Sequence, residues 1–429
     1  MPTVKENLFV KILDQGWKNF KLKHHSYATD YYDSIIEKTI HCHDQKFGYS
    51  EYRCMCCGKG VHRVGFSCKT KFCIHCARKS SNDFIEEIMG KLHPGIVYRH
   101  LILTIPEQLR KMFYVDRVNG DLYSRFMKLA NTFIQDLFRE VTGIKNLKIG
   151  CLVVLHTAGR SGSYNPHLHI IVMNGGIDPV TGKWVDLPYF KYEGFLPKKW
   201  RHHLLEMIKI FDPTPKGLAL VKKLYKIYKK GFVNSFKKGD VPKNSEHLVK
   251  YLAKYISKPS ISIKAIKSCD FKKEEVCYEY KDHRSSKYVT TRCTFEIFIG
   301  RLAQQILPKC FHRIIYFGLQ HPSSYQKNMK VINDGLKKAG RKLVGDESFV
   351  AYAVGNWKWR NDPRKCEYCG SELELWKIWS KKYGLIYDAT FDLMKNGVDP
   401  PPIFKIPEEI DVNMSEFINL REEQLCFLF

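Results

Sequence analysis

Alternating apolar and polar positions predict several strands along this chain. The first is Val97 to Ile105, which Pro106 closes. The apolar runs Cys151 to His156 and His167 to Met173 are separated by the turn-rich residues 159–163, so they predict a hairpin. A second hairpin is expected from residues 276–280 and 287–291, followed by a strand over 313–318.

A period near that of the α-helix predicts helices elsewhere. The pattern covers much of the first 50 residues, then Leu122 to Glu140 and Phe295 to Ile306. A strand, a helix and a hairpin in this order indicate an α+β fold, an antiparallel sheet flanked by helices. We divide the chain into an N-terminal helical and zinc-binding domain (1–95), a central domain (96–320) with a basic insertion near 175–245, and a C-terminal accessory region (321–429) with one CxxC motif.

Two histidines lie on one face of the third predicted strand. Side chains alternate along a strand, so His167 and His169 point the same way and Leu168 points into the core. The hairpin could bring His156 beside them. Three protein ligands with open positions are what a catalytic metal site needs. Solvated polar histidines are the alternative, and His247 is the rival for the third ligand.

Cysteines at metal-ligand spacing precede the predicted sheet. A cytosolic chain with 15 cysteines indicates metal sites or free thiols. Two CxxC pairs predict one structural zinc site, with Cys68, His62 and Cys56 as competing ligands: Cys54, Cys57, Cys73 and Cys76. A redox CxxC is the rival. The C-terminal pair, Cys366 and Cys369, is either a zinc site completed by residues not identified or a vestigial half-site.

The charge balance favours a polyanionic partner. Lys and Arg number 70 against 44 Asp and Glu, a net charge of +26, and aromatic residues make up 13% of the chain. Basic surfaces attract phosphates, and aromatic rings stack on unpaired bases, so the composition favours single-stranded nucleic acid over a merely basic surface. No apolar run reaches the length of a membrane span or a signal-peptide core, so we expect a cytoplasmic protein without a membrane partner.

A basic, tyrosine-containing helix is predicted over residues 244–259, where Ser245 can cap the start and Pro259 ends it. His247, Tyr251 and Tyr255 recur one turn apart and form a stripe. Packing aromatics are the alternative to nucleophiles here. The basic run that includes this helix predicts a phosphate-tracking surface, with a solvated helical face as the alternative: Lys222, Lys223, Lys250, Lys254 and Lys258.

These motifs, in this order, resemble the two-tyrosine HUH (His-hydrophobic-His) rolling-circle transposases of the insertion-sequence-91 type. The resemblance runs from about Cys54 to Cys369. It rests on Ser67-Cys68-Lys69 and Phe72-Cys73, Val154 to Thr157, Asn165 to His169, Tyr251 to Tyr255 with Lys258-Pro259, and Tyr316-Phe317-Gly318. Ala158, where an aromatic residue is common, and the extra thiol Cys56 depart from the family pattern without touching a proposed catalytic residue.

The resemblance implies an HUH endonuclease-like sheet and cleavage of single-stranded DNA at the ends of a mobile element. Tyr251 and Tyr255 would be the nucleophiles, forming 5′-phosphotyrosine links. His156, His167 and His169 would hold Mg²⁺ or Mn²⁺, and the cysteines would hold Zn²⁺. No GxxxxGK[ST] motif is present, so no nucleotide cofactor is expected. A plasmid replication initiator or relaxase with the same chemistry, and a non-catalytic zinc protein that binds nucleic acid, are the rival functions.

Overall fold

The computed structural model describes residues 8–70, 72–74, 76, 88, 91–93, 96–159, 161–188, 194–236, 261–282, 285–341 and 364–391. The chain forms two units. The first comprises Met1–Cys42 and Ser67–Trp357, and the second comprises His43–Phe66 and Lys358–Phe429. This division differs from the three consecutive domains predicted, because Gly48–Arg53 pairs with Glu374–Ser380 near the other end of the chain.

Helices and strands alternate irregularly along the sequence. The helices are α1 (Leu8–Lys23), α2 (Asp30–Ile40), α3 (Glu107–Asp116), α4 (Asp121–Thr142), α5 (Leu196–Phe211), α6 (Pro215–Ile227), α7 (Phe295–Ala303) and α8 (Tyr325–Lys338). The strands are β1 (Gly48–Arg53), β2 (Val61–Gly65), β3 (Tyr98–Thr104), β4 (Gly150–Ala158), β5 (Tyr164–Met173), β6 (Gly175–Ile177), β7 (Trp184–Asp186), β8 (Asn234–Phe236), β9 (Ile266–Asp270), β10 (Glu275–Lys281), β11 (Tyr288–Thr294), β12 (Ile314–Gly318), β13 (Glu374–Ser380) and β14 (Gly384–Asp388).

The first unit is built on a five-stranded sheet in the order β12-β4-β5-β3-β8, with antiparallel pairing throughout. The predicted α+β class is therefore confirmed, as are the predicted strands β3 and β12 and the β4–β5 hairpin. Gly162 turns the hairpin with φ +80°, a left-handed conformation that glycine adopts without steric cost.

Helices α3 to α6 cover one face of this sheet. Every second residue of β5 contributes to the core there, including Leu168, Ile170 and Val172. The predicted apolar stripe of α4 is buried against them, at Phe126, Ala130, Phe133, Ile134 and Leu137. The alternation in β5 therefore sends its apolar positions towards the helices, as burial of apolar surface requires.

The opposite face of the sheet is half apolar and half polar. Towards one end, Tyr98, Leu152 and Ile171 form a smaller core with Ile332 and Leu336 of α8. Towards the other end, the same alternating positions of β4 and β5 carry histidines instead.

A further core joins α1, α2 and α7 to the three-stranded sheet β11-β10-β9. A Cβ on Gly16 of α1 would lie 2.7 Å from Cδ1 of Ile299 on α7, so a larger residue there would require the Ile299 side chain to shift. The predicted hairpin β10–β11 and the predicted helix α7 are both confirmed here.

The second unit contains the four-stranded sheet β14-β13-β1-β2. Its buried carboxylate, Glu51, accepts from Nε of Arg53 at 2.7 Å and from Nε of Arg63 at 2.6 Å. Within the described residues, no helix combines the length and the apolarity needed to cross a membrane.

Candidate active site and metal centres

The structure brings His156, His167 and His169 together on the face of the central sheet opposite helices α3 to α6. His156 lies directly opposite His167 across the β4–β5 pair. The ring centroid of His156 is 4.5 Å from that of His169 and 5.2 Å from that of His167. One ring nitrogen of each residue lies within 4.8 Å of the others. The side chain between them, Leu168, is fully buried on the opposite face.

Two of the three histidines have a ring nitrogen that is free to bind a metal ion. Nδ1 of His167 is 2.7 Å from the Asn165 carbonyl oxygen, which can only accept, so this nitrogen carries the proton and Nε2 offers a lone pair. Nε2 of His156 is buried and has no hydrogen-bond partner. A buried imidazole nitrogen without a partner is costly unless a cation or another donor completes it.

Burial keeps the three imidazoles neutral. It lowers the pKa of His156 and His169 well below the usual histidine range, with neighbouring histidines adding to the effect. Burial also lowers the pKa of His167, although the hydrogen bond to Asn165 opposes the shift. Neutral imidazoles keep the lone pairs that a metal ion requires.

His100 is a member of the site that the sequence patterns did not reveal. It lies on β3, next to β5, and its Nε2 is 2.9 Å from Nδ1 of His169. Hydrogen bonds of this kind fix the orientation of a ligating histidine. The sequence shows only a single histidine inside the predicted apolar strand Val97 to Ile105. Its closeness to His169 follows from the order of the strands in the sheet, which the sequence does not reveal.

Two arginines lie beside the histidines. The Arg313 carbonyl accepts from the Leu155 amide at 3.0 Å, which places Arg313 next to the strand of His156. Burial lowers the pKa of Arg313 to about 10, so it remains a cation at neutral pH. Burial is the main cause of the lowered pKa of His167, and Arg110 of α3 is near enough for its charge to add to that effect. Fixed positive charge suits an anionic phosphate.

The cysteines form two clusters, so the prediction of one zinc site from Cys54, Cys57, Cys73 and Cys76 is wrong. Cys73 and Cys76 join Cys42 and Cys68 in the first unit, which we call cluster one. Cys54 and Cys57 join Cys366 and Cys369 in the second unit, which we call cluster two. The two thiols of each CxxC pair lie in the same cluster, but the other two thiols of that cluster come from elsewhere in the chain.

Both clusters have dimensions that fit zinc. Four thiolates bound tetrahedrally to Zn²⁺ lie about 3.8 Å from one another. Sγ atoms are separated by 3.3 Å (Cys42 and Cys76) and 3.6 Å (Cys68 and Cys76) in cluster one, and by 3.5 Å (Cys54 and Cys369) and 3.6 Å (Cys57 and Cys366) in cluster two. Cys56 and His62, two of the competing ligands considered, are exposed and belong to neither cluster.

Several predicted site residues lie outside the described residues: Tyr251, Tyr255, His247, Lys250, Lys254 and Lys258. Lys222 and Lys223 are exposed on α6. That helix belongs to the layer covering the face of the sheet opposite the histidines.

Comparison with known families gives two matches. Residues 150–328 match a family model described as "Putative transposase", and residues 12–105 match one described as "Transposase zinc-binding domain". The first range contains the three histidines, and the second contains cluster one but only half of cluster two.

Two curated relatives are similar over most of their length. The chain is 26% identical over 357 residues to "Transposase for insertion sequence element IS801" of Pseudomonas savastanoi pv. phaseolicola, covering 79% of this chain and 82% of that protein. It is 27% identical over 281 residues to "Putative transposase y4qJ" of Sinorhizobium fredii (strain NBRC 101917 / NGR234), covering 60% and 67%. No solved structure matches.

Proposed function

The chain belongs to the transposases of the insertion-sequence-91 type, and on that premise we propose that it nicks and rejoins single-stranded DNA at the ends of its mobile element. The observation that carries this proposal is the cluster of His156, His167 and His169 on one face of a sheet, with cationic arginines nearby. Such a site is built to hold a cation against a phosphate.

Tyr251 and Tyr255 are the proposed nucleophiles. A phenolic oxygen gives up its proton and attacks the phosphorus of the scissile linkage, the bond from phosphorus to the 3′ oxygen breaks, and the released 3′ oxygen takes up a proton. The protein then holds the 5′ end as a phosphotyrosine. The reverse attack by a 3′ hydroxyl rejoins strands without a nucleotide cofactor, because the covalent link conserves the phosphodiester energy. Two tyrosines allow one to hold a DNA end while the other attacks.

His156, His167 and His169 are the residues that would hold Mg²⁺ or Mn²⁺. When bound, such an ion polarises the phosphate and stabilises the charge that develops on its oxygens. The histidines are held in orientation by Asn165 and His100, and Arg110 and Arg313 add positive charge for the bound strand. Tyrosine has a pKa of about 10, so positioning by these groups must make its oxygen reactive.

Trapping the covalent intermediate tests the proposal. Incubation with a single-stranded oligonucleotide carrying the element end and Mg²⁺ is expected to yield a denaturant-resistant protein–DNA adduct. Mass spectrometry should locate the modification on Tyr251 or Tyr255. A Tyr251→Phe, Tyr255→Phe double variant should form none. Adduct in that variant would contradict the nucleophile assignment, and its absence from the wild-type protein would contradict the function.

The lysines Lys222 and Lys223 are proposed to contact DNA phosphates. Replacing both by glutamine should weaken binding to all sequences alike. It should also reduce the slope of log affinity against log salt concentration by roughly one for each phosphate that the variant no longer neutralises. An unchanged slope would mean that Lys222 and Lys223 of α6 do not contact the DNA phosphates.

A further inference from the structure

A cleft of about 970 Å³ lies beside β12 in the first unit. Its volume is near the upper end of the range of about 300–1,000 Å³ for ligand pockets, so it has room for an extended segment. The lining includes Phe72, Lys91, Phe311, Arg313 and Tyr316.

The charges that line the cleft are of one sign. Lys91 and Arg313 contribute cations, and the exposed imidazoles of His312 and His321 add donors. Among the described lining residues there is no aspartate or glutamate. An anionic occupant is therefore favoured over a cationic or purely apolar one.

Aromatic side chains line the same cleft as these basic side chains. Tyr316 and Phe311 are both half-buried, so part of each side chain is open to the cleft. Nζ of Lys91 lies 4.9 Å from the centroid of the Tyr316 ring, and Phe311 packs edge-on against Tyr123 at 6.0 Å. Rings held in this way, beside cations that can pair with phosphates, suit unpaired bases, whose faces are not available in a duplex.

The cleft adjoins β4, the strand that carries His156. Ile314 of β12 is paired with Val154 of β4, and the Arg313 carbonyl accepts from the Leu155 amide. Neighbouring strands lie about 4.8 Å apart, so Arg313 is one strand spacing from the strand that carries His156.

Cluster one supports another side of the cleft. The lining residue Thr70 has its Oγ1 3.2 Å from Sγ of Cys68 and 3.2 Å from Oγ1 of Thr39. Phe72, also in the lining, directly precedes the cluster ligand Cys73. The same unit therefore holds the cleft between a thiol cluster and the edge of the sheet that carries the histidines.

We propose that this cleft binds the single-stranded DNA segment adjoining the scissile linkage, with bases stacked on Tyr316 and Phe311 and phosphates facing Lys91 and Arg313. The choice of DNA as the occupant rests on the proposed function. The path leads the strand from the edge strand β12 towards the histidines.

Binding of a fluorescent single-stranded oligonucleotide, measured by anisotropy without a divalent ion, tests the cleft independently of cleavage. Tyr316→Ala is expected to weaken affinity about 5- to 100-fold, since one stacking platform is removed. Tyr316→Phe keeps the ring and should bind like the wild type. Tyr288→Ala removes an exposed tyrosine on β11, away from the cleft lining, and serves as the matched control.

Lys91→Gln provides a second variant in case Tyr316→Ala is poorly folded, which thermal unfolding will reveal. It should reduce the salt slope of binding by about one. Unchanged affinity in folded Tyr316→Ala together with an unchanged slope in Lys91→Gln would overturn the proposal.

Cross-linking locates the occupant directly. An oligonucleotide with 5-iodouracil next to the scissile linkage should cross-link to Tyr316 or Phe311, as mapped by mass spectrometry. Cross-links confined to residues outside the cleft would overturn the proposal even if the wild-type adduct forms normally. Absence of that adduct while the cleft cross-links persist would instead contradict the nicking function.

Discussion

The histidine cluster and the cysteine clusters could each hold a metal ion, but they differ in the number and type of their ligands. Each cysteine cluster presents four thiols, which complete a tetrahedral shell and leave no position for a substrate. The histidine cluster presents only three imidazoles, so an ion bound there would keep coordination positions for a phosphate. On the proposed function, the thiols would serve the stability of the fold and the imidazoles would serve the chemistry.

Removing one thiol from either cluster should give the largest effect. Cys73→Ser and Cys366→Ser should each reduce bound zinc from two ions per chain to one, because the clusters are separate. We expect each to lower the free energy of unfolding by more than about 4 kcal/mol, as the loss of a structural metal does. Metal analysis and thermal unfolding measure both quantities.

Cys56→Ser is the matched control, since Cys56 is exposed and outside both clusters. Loss of both zinc ions in either single variant would show that the clusters depend on one another.

The double substitution His167→Ala, His169→Ala should affect DNA cleavage more than stability, in contrast to the thiol variants. We expect DNA cleavage to fall by about 10³-fold or more, equivalent to about 4 kcal/mol of transition-state stabilisation. Thermal stability should fall less than in the thiol variants, because neither side chain belongs to an apolar core. Cleavage assays and unfolding curves check this. If the double variant fails to fold, the histidines are needed for the fold and this prediction is wrong.

Leu168→Ala sharpens the contrast within a single strand. This side chain lies between the two histidines but is fully buried on the other face of the sheet. We expect a loss of about 2–5 kcal/mol in the free energy of unfolding from the cavity it leaves. Chemical denaturation measures the loss. At a temperature where the variant is folded, cleavage should persist. Loss of cleavage in the folded variant would contradict the assignment of stability to the face of Leu168 and of chemistry to the face of the histidines.

His100→Phe should have the smallest effect of these. It removes the hydrogen bond to Nδ1 of His169 but keeps a ring in the same place. We expect Mn²⁺ affinity to fall about 10- to 100-fold, as for other residues that orient a ligand. Titration calorimetry is the measurement, with His321→Phe, at an exposed histidine, as the control. Unchanged affinity would mean that His169 is oriented by its strand alone.

The local sequence predicted the features that depend on neighbouring residues. Alternation along residues 164–173 was enough to place His167 and His169 on one face, and the short turn at 159–163 was enough to bring His156 opposite them. The helical stripe of α4 and the hairpin of β10 and β11 followed from periodicity in the same way.

The partners of each CxxC pair could not be predicted in this way. Cys57 and Cys366 are 309 residues apart in sequence, and their thiols meet only because β1 pairs with β13. Cys42 lies between two histidines and offers no spacing signal to Cys73. Sequence spacing shows which two cysteines share one turn, but the tertiary structure determines which cysteines come together in one cluster.

The sequence by itself determined the α+β class, the face on which the histidines lie and the presence of thiol sites, because side-chain period and tight turns are local properties. Only the tertiary structure decided that His100 supports His169, that the thiols form two clusters, and that a basic, aromatic-lined cleft adjoins β4. Those features depend on strand order and on contacts between distant segments, which are set when the whole chain buries its apolar surface.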